Sequence, residues 1–250
     1  MKTVKVSPVT MINMVNRNFQ LKFFSLLLVC GLLPDFSMAQ LDDTQLRQQI
    51  GVNWSPTKKI DLNASYRLDY KFDMRAFRRS NFSIAADYEI TKWLSAGIGY
   101  RFATSPSTDF HRFKIFASAK KDLTKKLTLS FRSMVQHDVK YLNSEYLNSY
   151  KPTYVYRNKL GLKYALKKKI DLFAYSDLFA QTKNHTTGLY RLRSGLGAEY
   201  TYKKRNHLAL SWFYQNEFRI KSPQNIQVFN IEFTFDLQKK TAKGKKDKSK

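Results

Sequence analysis

A short turn phrase recurs along the chain, each time between stretches that alternate apolar and polar residues. It reads Thr57-Lys58-Lys59-Ile60, Thr91-Lys92-Trp93-Leu94, Thr124-Lys125-Lys126-Leu127 and Lys167-Lys168-Lys169-Ile170, with a looser copy at Lys203-Lys204-Arg205. From Lys59 through Trp93, Lys126, Lys169 and Lys204 the steps are 34, 33, 43 and 35 residues, a length that holds two strands, one tight turn and one longer loop. Hairpins with one short and one long end, repeated this often, predict a transmembrane β-barrel.

The alternation between the turns has period two. Ile60, Leu62, Ala64, Tyr66, Leu68 and Tyr70 alternate with Asp61, Asn63, Ser65, Arg67 and Asp69, which separates one apolar from one polar face of a strand. The same pattern runs from Phe82 to Ile90, Leu94 to Phe102, Arg112 to Ala119 and Leu127 to Val135. Further strands are expected near Tyr154 to Leu166, Ile170 to Phe179, Leu189 to Tyr202, His207 to Ile220 and Ile226 to Leu237. In the strand at Ile170 the face is ambiguous, because Phe173, Tyr175 and Phe179 compete with Leu172, Ala174 and Leu178.

Those ten strands would leave both chain ends beside the short turns, as single-chain bacterial barrels prefer. Leu46, Gln48, Ile50, Val52 and Trp54 read as one more strand, which starts on the wrong side or pairs with a twelfth. The expected fold is all-β, a transmembrane antiparallel β-barrel of ten to twelve strands over residues 40–237. A soluble sandwich or lipocalin-like barrel would turn its polar face outward, but here the apolar face is too long and continuous to be a small interior. Tyr and Trp gather near strand ends, where an amphipathic ring sits at a bilayer interface.

The N-terminus supplies an address. Lys2, Lys5, Arg17 and Lys22 precede an apolar run from Phe23 to Leu33, and Ser37-Met38-Ala39 is a cleavage site of small residues, so residues 1–39 read as a secretory signal peptide cut after Ala39. Leu27-Leu28-Val29-Cys30 is a poor lipoprotein box, because Val29 is too large for its position. Cys30 is the only cysteine, so the exported chain has no disulfide, thiolate metal site or cysteine nucleophile. After Leu33 no segment approaches the ~18 consecutive apolar residues of a membrane helix.

A formal charge of +25 would point to nucleic acid in a cytoplasmic protein; export removes that partner. Residues 238–250, with seven lysines and one aspartate, read as a disordered tail whose removal from Ala242 onward leaves folding intact. Phe229, Ile231, Phe233, Phe235 and Leu237 form an aromatic ladder of the kind barrel-assembly machinery reads at a C-terminal strand. Expected partners are that machinery, outer-membrane lipid and lipopolysaccharide, and an anionic solute; no cofactor is implied.

The chain resembles the exported bacterial proteins of domain of unknown function 2490, which are treated as outer-membrane barrels. The resemblance covers nearly the whole exported chain. It rests on the Thr-Lys turns, Gly99-Tyr100-Arg101-Phe102, His111-Arg112-Phe113, Tyr156-Arg157-Asn158-Lys159-Leu160 and Arg191-Leu192-Arg193-Ser194-Gly195. That family has no established activity, so the resemblance implies fold and location and leaves the chemistry to the residues.

Orienting each strand by its short turn polarises the lumen. Arg67, Arg101, Arg112, Lys114, Arg132, Arg157, Lys159, Arg191, Arg193 and Arg219 fall in the half away from the turns, against Asp69, Glu217 and Glu232; Asp61, Asp87, Glu89, Glu199 and Asp236 fall in the turn half. Such a basic vestibule concentrates anions. Gly97, Gly99, Gly161, Gly195 and Gly197 either leave space there or curve the strands. Alternatively the arginines pair with Asp69, Glu217 and Glu232 and plug the lumen. Among the histidines, His137 beside Asp138, with Ser144 and Ser149 in the same loop, is the nearest approach to a catalytic group; none has metal-ligand spacing. Three classes remain: a channel for anionic solutes such as acidic oligosaccharides, a closed structural or adhesin-like barrel using the loops at residues 136–152 and 180–188, and a lipid-modifying enzyme.

Overall fold

A computed structural model describes residues 41–106, 108–139, 154–183, 186–203, 205–220 and 222–238. Residues 1–40, which include the expected signal peptide, the lysine-rich segment beyond Gln238, most of the 136–152 loop with Ser144 and Ser149, and His185 lie outside the described residues. Eleven strands run in chain order: β1 Leu41–Ser55, β2 Ile60–Lys71, β3 Ala76–Thr91, β4 Leu94–Thr104, β5 Asp109–Asp122 and β6 Leu127–Val139. They continue as β7 Tyr154–Lys167, β8 Ile170–Lys183, β9 Thr186–Tyr202, β10 Asn206–Glu217 and β11 Gln224–Gln238. Each strand pairs with its chain neighbours and β1 pairs with β11, closing a barrel without edges.

The expected antiparallel barrel of ten to twelve strands is found with eleven, and its one parallel pairing lies at that closure. β1 runs parallel to β11 along its whole length, from Leu41 opposite Gln224 to Ser55 opposite Gln238. With an odd number of alternating strands the first and last must point the same way. The segment that read as a stray eleventh strand is therefore a full stave, and it begins on the loop side. The two ends of the wall consequently do not share a side, contrary to the ten-strand reading.

The repeated turn phrase closes the opposite rim by one mechanism. Thr57 Oγ1 accepts from the backbone N–H groups of Lys59 (3.3 Å) and Ile60 (3.1 Å). Thr91 does the same for Trp93 and Leu94, and Thr124 for Lys126 and Leu127. These side-chain caps substitute for backbone partners in a tight turn. The turns are also chained: the carbonyls of Lys59, Trp93, Lys126 and Lys169 accept from the N–H groups of Glu89, Lys120, Ala165 and Thr201 at 2.8 to 2.9 Å. Each turn thus hands its free carbonyl to the next hairpin.

Burial separates the two faces and fixes which one is the lumen. Ile98 and Ile115 are 64% and 60% exposed, whereas Asp69 and Asp177 are fully buried. An apolar convex face around a polar interior inverts the soluble pattern and fits hydrocarbon outside. Trp54, Tyr88, Tyr200 and Tyr202, all exposed, cluster at the turn end as an interfacial girdle. The ambiguity in β8 resolves with Phe173, Tyr175 and Phe179 inward, on the same parity as Asp171 and Asp177.

Candidate functional site: the lumen

Two contrasting zones fill the barrel. On the loop side, neighbouring staves β1, β2 and β3 bring Arg47, Asp69 and Arg79 into one row. The buried Asp69 carboxylate takes Arg67 and Arg79 at 2.8 Å each and Arg47 at 3.7 Å, and the Asn81 amide donates to it at 3.3 Å. Arg112 grips Asp138 with two bonds of 2.6 Å, Arg157 chelates buried Asp177, and Arg191 meets Glu217 at 2.7 Å. Arg193 donates to Gln215 at 2.7 Å, which in turn donates to Glu217 at 3.1 Å. Among the described residues Arg101 reaches only the Ser83 hydroxyl, at 3.0 Å.

Aromatic rings fill the spaces between these cations. The Phe213 ring lies 4.9 Å from the Arg47 guanidinium and 4.7 Å from that of Arg193. Phe179 sits among Arg157, Arg191 and Arg193 at 5.1 to 5.4 Å; Phe116 lies 4.8 Å from Arg132. The Lys159 ammonium is 4.0 Å from the Tyr175 ring. Desolvated cation–π contacts of this kind contribute ~2 kcal/mol or more. Phe213, Ile226 and Val228, with Tyr175 packed against them, make a small apolar core inside the lumen.

The glycines explain how rings fit against the wall. A Cβ on Gly97 would lie 2.5 Å from Phe116 Cζ, one on Gly195 2.9 Å from Tyr175 Cζ, and one on Gly197 2.6 Å from Phe173 Cζ. The room these residues leave is therefore occupied by aromatic side chains and is not open passage.

On the turn side the wall opens into a cup of about 810 Å³. Asp61, Asp87, Glu89 and Asp236 line it, and Arg132 and Lys159 lie at its inner end. Two of these acids, and Glu199 beside them, are engaged by the wall: Ser55 donates to Asp61, Asn53 to Asp236 at 2.8 Å, and His207 lies between Glu199 (2.9 Å) and Asp236 (3.2 Å). Lys163 bridges Asp171 and Glu199 at 3.0 and 3.2 Å.

Nine of the ten cations singled out in the sequence stand on strands that form this wall. Arg219 does not. It follows β10 in an exposed loop with a left-handed backbone, φ 57°, because β10 ends at Glu217 before the alternation would place it. Glu232, expected as an arginine partner in a plugged lumen, instead accepts from Gln49 at 2.9 Å and Thr234 at 3.4 Å. Arg47, Arg79, Asp138 and Asp177 were missed, although each has inward parity on its strand. His137 and Asp138 do not form a dyad: adjacent strand residues face opposite ways, so Asp138 pairs with Arg112 inside while His137 stacks on Tyr154 outside, ring centroids 5.0 Å apart. Among the described residues no group of His, Cys, Asp and Glu is placed to hold a metal.

The family model described as "Protein of unknown function (DUF2490)" matches residues 43–226. Among curated proteins none matches the chain. Among solved structures, the NanC porin is similar at 12% identity, covering 78% of this chain and 99% of its own, with a TM-score of 0.51. LpxR from Salmonella typhimurium is 12% identical over 75% of this chain and 87% of its own, TM-score 0.47. The KdgM porin in complex with disordered oligogalacturonate is 12% identical over 71% and 92%, TM-score 0.43. The NanC likeness shows the fold alone, a closed β-barrel like that of the NanC porin; the other two carry no argument.

Proposed function

We propose that this chain, which belongs to the DUF2490 family, is an outer-membrane barrel that binds and passes anionic solutes, acidic oligosaccharides among them. One observation carries the reading: four cations on the lumen face have no carboxylate to neutralise them. Among the described residues no carboxylate lies within ion-pair distance of Arg101, Lys114, Lys159 or Arg193, although all four are on the inward face. Uncompensated charge in a low-dielectric wall is costly unless an anion answers it. The cell outer membrane as location is supported by the apolar exterior, with lipid and lipopolysaccharide against it. Export through a signal peptide cut after Ala39 and recognition of β11 by barrel-assembly machinery complete the proposal.

Single-channel conductance of the refolded chain in a planar bilayer tests it. The expected result is anion preference at low ionic strength that fades as salt rises, since screening shortens the reach of wall charges to ~10 Å near 0.1 M. Replacing Arg101, Arg132 and Arg193 together by glutamate is expected to shift the preference toward cations. A second reading, a closed barrel with a salt-bridged lumen, is favoured by the Asp69 cluster and the seated rings. It predicts no current from well-folded protein and loss of stability in the triple variant.

A further inference from the structure

The turn-end cup has features that conduction does not require. At its inner end two cations, Arg132 and Lys159, face one carboxylate within ion-pair distance, Asp87. Asp177, the cross-strand neighbour of Lys159, is held by Arg157. Arg132 gives its Nε–H to Ser118 Oγ at 2.7 Å and has Asp87 only at 3.9 Å. Two cations from adjacent strands, β6 and β7, stand directly opposite each other in the register. Such a pair answers one carboxylate better than it answers the wall.

The walls supply a different chemistry. Ser130, Asn53 and Asn63 line the cup between its floor and its mouth, presenting hydroxyl and amide groups that both donate and accept. Trp93, 59% exposed on its turn, stands at the lip as a flat amphipathic ring. The volume falls in the ~300 to 1,000 Å³ range of small-ligand sites. Around the mouth the turn lysines Lys59, Lys92, Lys126 and Lys169 are all exposed, so the field outside is attractive to anions, while two of the acids just inside, Asp61 and Asp236, hold donors of the wall.

We propose that the cup is a binding site for a sugar acid, its carboxylate on Arg132 and Lys159, its hydroxyls on Ser130 and the Asn53–Asn63 pair, and its ring against Trp93. This deepens the anionic-solute reading by naming a site and a ligand class, and it holds whether or not the lumen conducts.

Saturation-transfer NMR on the full chain folded in detergent micelles, with D-glucuronate, D-glucose and inorganic phosphate as separate probes, tests it. Glucuronate is expected to bind ~10-fold or more tightly than glucose, the difference one charge-assisted contact makes, and more tightly than phosphate. Lys159→Gln and Arg132→Gln are each expected to weaken glucuronate ~10-fold, whereas Lys159→Arg keeps it; heat-modifiable gel migration verifies that each variant is folded. Glucose binding as well as glucuronate, phosphate binding as well as glucuronate, absence of glucuronate binding, or indifference to both glutamine variants overturns the proposal. A barrel that binds glucuronate without conducting keeps the cup and removes the channel; one that conducts without binding removes the cup alone.

Discussion

The two halves of the lumen are built from the same residue types and reach opposite states. In the loop half, Asp69 and Asp177 are fully buried, Asp69 is surrounded by three arginines, Asp138, Asp177 and Glu217 each hold one, and rings fill what remains. In the turn half, carboxylates outnumber nearby cations, bind hydroxyls and amides, and border open space. The difference teaches that charge count alone does not open or close a barrel. What matters is whether a buried acid has enough inward arginines, and whether glycines opposite give aromatic rings a seat.

The contrast can be broken at Asp69. Asp69→Asn leaves Arg47, Arg67 and Arg79 without their common counter-charge and is expected to cost ~3 to 5 kcal/mol, read as a shift in the urea midpoint of the barrel in lipid vesicles. A cost as small as that of a surface pair would mean that the loop half is as wet as the turn half.

The inside-outside assignment on which both halves rest is tested next. Ile98→Arg or Leu129→Arg, facing hydrocarbon, should cost about 2 to 4 kcal/mol near mid-membrane, with Ser130→Arg, facing the cup, milder. Equal costs in the same unfolding assay would contradict the register.

A smaller effect sharpens the role of the ring seats. Gly195→Ala drives a methyl toward Tyr175 and Phe213 and is expected to cost ~1 to 3 kcal/mol as overpacking. Gly188→Ala, with nothing within 4 Å, should stay within ~0.5 kcal/mol. Indistinguishable thermal midpoints for the two would show that the rings are not fixed against the wall.

The smallest change is expected in the turn half. Asp236→Asn removes a charge whose partners are Asn53 and a half-exposed histidine, and should alter stability by less than about 1 kcal/mol. A loss matching that of Asp69→Asn would erase the distinction between the halves.

Much of the wall was legible in the sequence because period two is a local signal. Ile60 to Tyr70 states its two faces outright, and the Thr-Lys turns announce the hairpins. Closure was not legible: the parallel partnership of β1 and β11 joins residues 183 apart, as in Gln49 and Glu232, and no local pattern encodes it. The ten cations were found by parity, and nine lie on the wall. Their partners were found less well, because Asp177 belongs to a strand whose parity looked ambiguous until Gly195 and Gly197 on the next strand gave its rings a place to lie. Such a seat exists only once two strands are in register. Arg219 was misplaced because the alternation was extended past the end of a strand.

The parallel seam has a consequence for how the polypeptide could be rewired. In a barrel with an even number of strands, a few residues joining the last strand to the first would permit new ends to be cut in any hairpin. Here Leu41 and Gln238 lie at opposite rims, and the 15-residue strands between them span ~50 Å at about 3.3 Å per residue. A joining peptide would have to travel that distance through the packed interior or along the hydrocarbon face. Short-linker circular permutation is therefore barred to this barrel, and its order of strands is fixed by geometry.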